Sequence, residues 1–146
     1  MKNGKLTVFL GGTCGNSTWR SELQEKLSGK VDAFNPVVPD WTPECQAIED
    51  AHKQNDDIVL FVITPETPGL YSASEVTASA LLFPERTVFC VLPEANGKAF
   101  EKHEQKAWNK IFKDVAAFGA KTCADLEDVA NTLNEMALNK QDTWTK

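Results

Sequence analysis

The chain predicts an α/β fold, a parallel sheet with helices on both faces. Three observations point to it. Short aliphatic or β-branched runs recur along the 146 residues, most apolar in Ile58-Val-Leu-Phe-Val-Ile63. Segments of helical period separate them, and Gly/Pro-rich punctuation marks the junctions. Alternation of this kind is the pattern of βαβ units, in which each crossover helix covers a face of the sheet. The length of 146 residues suits a single domain, 1–146, with one core.

Leu6-Thr-Val-Phe-Leu10 reads as the first strand and runs into Gly11-Gly-Thr-Cys-Gly-Asn-Ser-Thr18, whose glycines let backbone amides approach a ligand closely. Ser17 or Thr18 caps a helix carrying Trp19, Leu23 and Leu27 at helical spacing. The loop is not G-x-G-x-x-G and no P-loop lysine follows, so dinucleotide and ATP fingerprints are absent. Gly29 ends this helix, and Val31–Phe34 makes a second strand. Asn35–Pro43 is an extended loop stiffened by prolines, after which Thr42 caps and Pro43 starts a helix to about Gln54. Asn55-Asp-Asp57 opens the third strand, and Thr64–Tyr71 forms the loop beyond it.

Small residues from Ser72 onward then read as a helix held close against the sheet, with Glu75 in its first turn. Thr87–Leu92 is a fourth strand, broken by Pro93–Gly97. A long amphipathic helix follows, with Phe100, Ala107, Trp108, Ile111, Phe112 and Val115 as a core or subunit-contact stripe. Gly119 ends it, Ala120–Cys123 is a short fifth strand, and Asp125 to about Leu138 is the last helix. Asn139–Lys146 reads as a mobile polar tail, apart from Trp144. The sum is a flavodoxin-like three-layer sandwich with a five-stranded parallel sheet.

Composition narrows the function. A formal charge of -6 without clustered Lys/Arg argues against nucleic acid as a partner, though not against small nucleosides or nucleotides. There is no charged-then-apolar leader and no membrane-length apolar run, which points to a cytoplasmic protein without a membrane partner. Cys14, Cys45, Cys90 and Cys123 are scattered without C-x-x-C or a nearby histidine pair, so no metal site is expected. His52 and His103 fall on polar helical segments and read as solvated. Cys90, within a strand, reads as a small buried apolar residue.

In open α/β sheets ligands bind beyond the carboxyl ends of the strands. That places the loop after the third strand, and Glu75, at the mouth of a crevice. Two readings of Glu75 compete: a functional carboxylate, or the closing residue of a Ser72-Ala-Ser-Glu75 capping box. Trp41 is either a loop aromatic covering the core or a flat surface for a nucleobase. Asn35 fixes the turn before Pro36 or bonds a base edge. Arg20 is a surface helix residue or, beside Thr18, an anchor for phosphate or carboxylate.

Several motifs now coincide. Phe9-Leu-Gly-Gly-Thr13 with Ser17-Thr-Trp-Arg20, Phe34-Asn-Pro-Val-Val38 with Asp40-Trp41, the Asp57 strand, and Gly69-Leu-Tyr-Ser72 with Glu75-Val76 resemble the nucleoside 2-deoxyribosyltransferase-like family over roughly residues 5–92. The resemblance implies a flavodoxin-like homo-oligomer, dimer or larger, whose active site is completed by a neighbouring subunit. It implies cleavage of the N-glycosidic bond of a 2′-deoxynucleoside, with Glu75 as nucleophile and Asp57 handling the departing base. Gly11, Gly12 and Thr13 correspond to the sugar and base pocket, and Trp19, Arg20, Asn35, Asp40, Trp41, Gly69, Tyr71 and Ser72 are further substrate-binding candidates. Two positions depart. Phe9 stands where the family has a tyrosine, and Gly69 where it has an acidic residue, with Tyr71 or Ser72 as possible substitutes for the lost hydroxyl. Hydrolysis of a deoxynucleotide and non-catalytic nucleotide binding therefore stand as alternatives to transfer.

The chemistry fits these residue types. Glycosidic cleavage passes through an oxocarbenium-like state that a carboxylate beneath the anomeric carbon stabilises or captures. A helix N-terminus would help keep Glu75 ionised by up to about 2 kcal/mol. A second carboxyl group, Asp57 with Asp40 in reserve, would protonate the leaving base. The reaction calls for no metal or redox cofactor.

Overall fold

A computed structural model describes residues 4–144, with side chains described as far as Lys140. Its elements follow as β1 (Leu6–Gly12), α1 (Trp19–Gln24), β2 (Val31–Phe34), α2 (Pro43–Asn55), β3 (Ile58–Ile63), α3 (Leu70–Leu82), β4 (Thr87–Val91), β5 (Glu94–Ala95), β6 (Lys98–Ala99), α4 (Lys102–Ala117), β7 (Lys121–Cys123) and α5 (Leu126–Trp144). Five strands form an all-parallel sheet in the order β2-β1-β3-β4-β7, the flavodoxin-like arrangement expected. The order reverses between β1 and β3, so the crevice opens beyond their carboxyl ends.

The period-two geometry of the strands divides the core. Leu6, Val8 and Leu10 of β1 and Leu60 and Val62 of β3 face α1 and α5, meeting Trp19, Leu23, Val129, Leu133 and Ala137. Phe9, Val59, Phe61 and Ile63 face the other way, onto Val76 and Ala80 of α3 and Trp108 and Val115 of α4. All six residues of β3 are buried, as a central parallel strand covered on both sides requires.

α2 differs from the other helices in burying no residue completely. Thr42 caps it, its hydroxyl accepting from the Cys45 amide, and Pro43 occupies its first position, as expected. At the other end, Arg86 donates to the carbonyls of Lys53, Gln54 and Asp56 at 2.7–3.2 Å. Helix-end carbonyls that lack intrahelical donors are a natural seat for a guanidinium. His52, expected in solvent, instead stacks on Phe34 with centroids 3.7 Å apart and bonds Asp56 at 3.0 Å.

Several boundaries moved. Pro93–Gly97 does more than break β4: Asn96 (φ 50°) and Gly97 (φ 79°) turn a small β5–β6 hairpin. Two consecutive positive φ values are what a two-residue hairpin turn of this hand demands, and Asn-Gly supplies them. α5 continues through the expected polar tail to Trp144, because no Gly or Pro interrupts it. Residues 145–146 lie outside the described chain. α1 is shorter than expected, and Ser17 does not cap it but bonds Glu66. Among the described residues, no helix is long and apolar enough to cross a membrane.

Candidate active site

A cavity of about 780 Å³ lies where β1 and β3 end. Gly11, Gly12 and Thr13 form one wall, the Thr67–Ser72 turn another, and α2 contributes Gln46, Glu49 and Lys53. Pro36, Val37, Val38 and Trp41 close the side, and Phe9 and Glu75 also line it. This is the volume range of small-molecule sites. A second hollow of about 830 Å³ runs along α4, lined by Lys102, Lys106, Lys110 and Lys113 and sharing no lining residue with the first.

The glycine-rich wall is built by side chains that turn inward. The Thr13 amide donates to Val62 O at 2.9 Å and its hydroxyl accepts from the Thr64 amide at 2.8 Å, joining the two loops. Trp19 and Arg20 are buried, at 1% and 4% exposure. Trp19 Nε1 and Arg20 Nη1 donate to Thr13 O at 2.9 and 2.6 Å, and Arg20 Nε donates to Leu10 O at 3.0 Å. Trp19 lies in the core away from the cavity, and the guanidinium of Arg20 is engaged with loop carbonyls. Both are scaffold for the loop, because orphan carbonyls at a sharp turn need donors and these two supply them.

A residue outside the expected set ties the rim together. Glu66 accepts from Ser17 Oγ at 2.6 Å, Thr64 Oγ1 at 2.8 Å and Asn96 Nδ2 at 2.8 Å, linking the loops after β1 and β3 to the hairpin. Burial opposes its ionisation, but these hydrogen bonds outweigh that and hold the carboxyl below its ordinary range. Glu66→Ala is expected to speed amide exchange about tenfold in the Gly15–Ser17 loop and the hairpin, with core amides little changed. Hydrogen-exchange mass spectrometry reads this directly, and unchanged loop protection would refute the clasp.

Glu75 faces the cavity from the second turn of α3, not the first. α3 begins at Leu70 behind Gly69, whose φ of 70° makes it a left-handed cap, so no Ser72–Glu75 capping box forms. Helix-dipole support fades beyond the first turn. The charge partner is instead Lys53, whose Nζ lies 2.7 Å from Glu75 Oε2, with side-chain exposures of 29% and 19%. Burial alone would lower the Lys53 pKa, but the hydrogen bond and charge of Glu75 outweigh it and the net shift is upward. The Lys53 ammonium also sits 5.5 Å above the centre of the Phe9 ring.

Asp57 is elsewhere. It precedes β3, at the amino end of the sheet, where Oδ2 accepts from the Thr7 amide (2.9 Å) and hydroxyl (3.1 Å) and Oδ1 pairs with Lys140 of α5 at 2.7 Å. Along a parallel strand, β3 itself puts roughly 20 Å between its two ends. Asp40 is exposed and, like Asp57, lines no part of the cavity. Asn35 is also outside it, its Oδ1 accepting from the Val37 amide at 2.9 Å in the turn-fixing role. The second carboxyl group of the cavity is Glu49, one turn before Lys53 on α2. Asp57 acts on stability. Burial raises its pKa, yet Lys140 and Thr7 outweigh that and the net shift is downward. A carboxyl lowered on folding contributes above its unfolded value and loses that contribution as pH falls through its folded one. Asp57→Asn is therefore expected to cost about 1–2 kcal/mol near neutral pH, the difference shrinking in acid. Urea unfolding at both pH values tests it.

All of the cavity's residues, from Phe9 to Glu75, lie in the first two thirds of the chain. The model of the nucleoside 2-deoxyribosyltransferase-like family matches residues 5–95. The chain belongs to this family. No match was found among curated proteins. The nucleoside 2-deoxyribosyltransferase-like segment thus spans β1 to β5 and contains the whole cavity lining, while α4, β7 and α5 complete the sheet and its cover. Of the expected residues, Gly11, Gly12, Thr13, Arg20, Trp41, Gly69, Tyr71, Ser72 and Glu75 share the cavity. Lys53, Glu49 and Glu66 were not anticipated. Each is one charged residue on a polar stretch, and only the i,i+4 spacing of Glu49 and Lys53 on one helix face hinted at a shared site.

Proposed function

We propose that the protein cleaves the N-glycosidic bond of a (deoxy)nucleoside and transfers the sugar to another base through a glycosyl ester on Glu75. The observation that carries this reading is Glu75 itself, open to the cavity at the β1/β3 switch point with one oxygen held by Lys53. Glu75 attacks C1′ as the base departs, giving a covalent intermediate that a second base opens from the vacated face, with overall retention. Glu49 is the remaining carboxyl group of the lining, and we assign it the proton for the departing base in place of Asp57. Trp41 and Tyr71, 58% and 72% exposed, offer flat surfaces to the base.

The deciding experiment is incubation with a deoxynucleoside and a second free base. Exchanged nucleoside is the expected product. Free sugar or sugar phosphate without exchange would make the protein a hydrolase. Tight nucleotide binding with no cleavage on long incubation would make it a binding module, the reading that Phe9 and Gly69 favour.

We further infer that a second copy of the chain closes the cavity. Large apolar side chains lie open on α2 and α3, Ile48 (51%), Leu70 (86%), Leu81 (58%) and Leu82 (69%), and of these Leu70 also lines the cavity with Trp41. Exposed large apolar side chains in this number mark interaction surfaces. Sedimentation is expected to give a dimer or larger species that Leu82→Glu dissociates, with loss of exchange. A fully active monomer would overturn this.

A further inference from the structure

We propose that Lys53 is the positioning residue for Glu75, fixing one carboxylate oxygen so that the other is presented to the sugar. This rests on the reading of Glu75 as nucleophile. The first strand offers Glu75 a phenyl ring, Phe9, which has no hydroxyl to donate. Among the described residues the hydrogen bond that Glu75 receives comes from Lys53 Nζ, on Oε2 at 2.7 Å. Oε1 receives no hydrogen bond among the described residues, and Glu75 lines the cavity. The ammonium is delivered from an anchored helix end: Arg86 grips the carbonyls of Lys53, Gln54 and Asp56, and the adjacent His52 ring is stacked on Phe34. A long lysine side chain held at its root, with Phe9 beneath its head, has few other places to put its charge.

The pair also bears on turnover. In the first step Oε1 bonds to C1′ while the C1′–N bond breaks, its electron pair going to the base nitrogen, which takes up the proton of the Glu49 carboxyl group. Glu75 becomes a neutral ester. Lys53 stays protonated, keeps a hydrogen bond to the ester carbonyl, and loses its counter-charge in a partly buried place. In the second step the acceptor base attacks C1′, its ring N–H proton passing to the Glu49 carboxylate, and Oε1 departs with its pair, which restores the ion pair. Lys53 therefore orients the attack and favours breakdown of the ester. The raised Lys53 pKa agrees with an ammonium paired to the free Glu75 carboxylate before the first step and again after the second.

The test uses the full chain and two independent readouts. Lys53→Met is expected to lower kcat about a hundredfold with KM moved less than about threefold, the signature of lost orientation. Mass spectrometry of the quenched reaction should show more glycosyl-Glu75 at steady state than in the parent. Lys53→Arg, which keeps a cationic donor, should recover most of the rate. Parental kcat in Lys53→Met, or a loss that arginine does not relieve, overturns the proposal. The second readout needs no activity: with acetic anhydride at mildly alkaline pH, Lys53 should acetylate faster in Glu75→Gln than in the parent, because burial then lowers its pKa against only the smaller contributions of Tyr71 and Glu49. Equal rates would mean the pair does not form in solution. A parent that never exchanges or cleaves overturns the nucleophile reading and the positioning role with it, while the acetylation contrast still separates that outcome from the absence of the pair.

Discussion

Glu75→Gln is expected to abolish base exchange, lowering the rate at least about a thousandfold. Glutamine keeps the shape of the side chain and an acceptor for the Lys53 ammonium, so α3 and the cavity wall should persist. What it removes is the anion that meets positive charge developing at C1′. Loss of the ion pair should cost about 1 kcal/mol of stability, a partly exposed pair being worth little more. Nucleoside binding, followed by calorimetry, should change far less than turnover, followed by chromatographic separation of the exchanged bases. Glu49→Gln should be less severe, about a hundredfold, because it removes proton transfer and leaves the nucleophile. Exchange at the parental rate in Glu75→Gln would end the covalent mechanism.

Gly12→Ala should be the most destabilising single-methyl change in the chain. Gly12 has φ 114°, and a Cβ built there would sit 2.0 Å from the carbonyl oxygen of Val62. That oxygen belongs to the central strand and already accepts from the Thr13 amide, so neither side can give way. Left-handed strain of about 1–2 kcal/mol and overpacking of about 1–3 kcal/mol add to roughly 2–5 kcal/mol, a large share of a typical domain's stability. Gly15→Ala is the control. Its φ is 73°, but nothing lies within 4 Å of the added carbon, so it should cost only about 1 kcal/mol. Denaturant midpoints compare the two directly. Equal costs would mean that the loop accommodates a side chain at Gly12 by moving off β3.

The close approach at Gly12 also says why Gly11-Gly-Thr13 was legible as a wall of the site. Loops that pack backbone on backbone need glycine whatever else surrounds them. The six apolar residues of β3 were legible for a similar reason, since burial on both faces leaves no room for a polar position. The Asn96-Gly97 dipeptide and the absence of a breaker after Leu138 are signals too, yet the expectation was a simple break and a mobile tail, where the structure has a hairpin and a continuing helix. Trp19 and Arg20 were legible as neighbours of the loop. Their direction was not, because a helix of six residues fixes no face by periodicity.

Chain order alone determined the layered α/β fold, the β1 and β3 loops at one end of the sheet, and Glu75 on the helix that follows. These depend on period, punctuation and local connectivity, all of which act over a few residues. Tertiary structure decided which charges meet there. Parallel strands send Asp57, just ahead of β3, to the far end of the sheet, where Thr7 and Lys140 claim it. The crossing of α2 beside α3 brings Lys53 to Glu75 across 22 residues of sequence. A Coulombic contact depends on distance in space, and no local pattern encodes the approach of two helices.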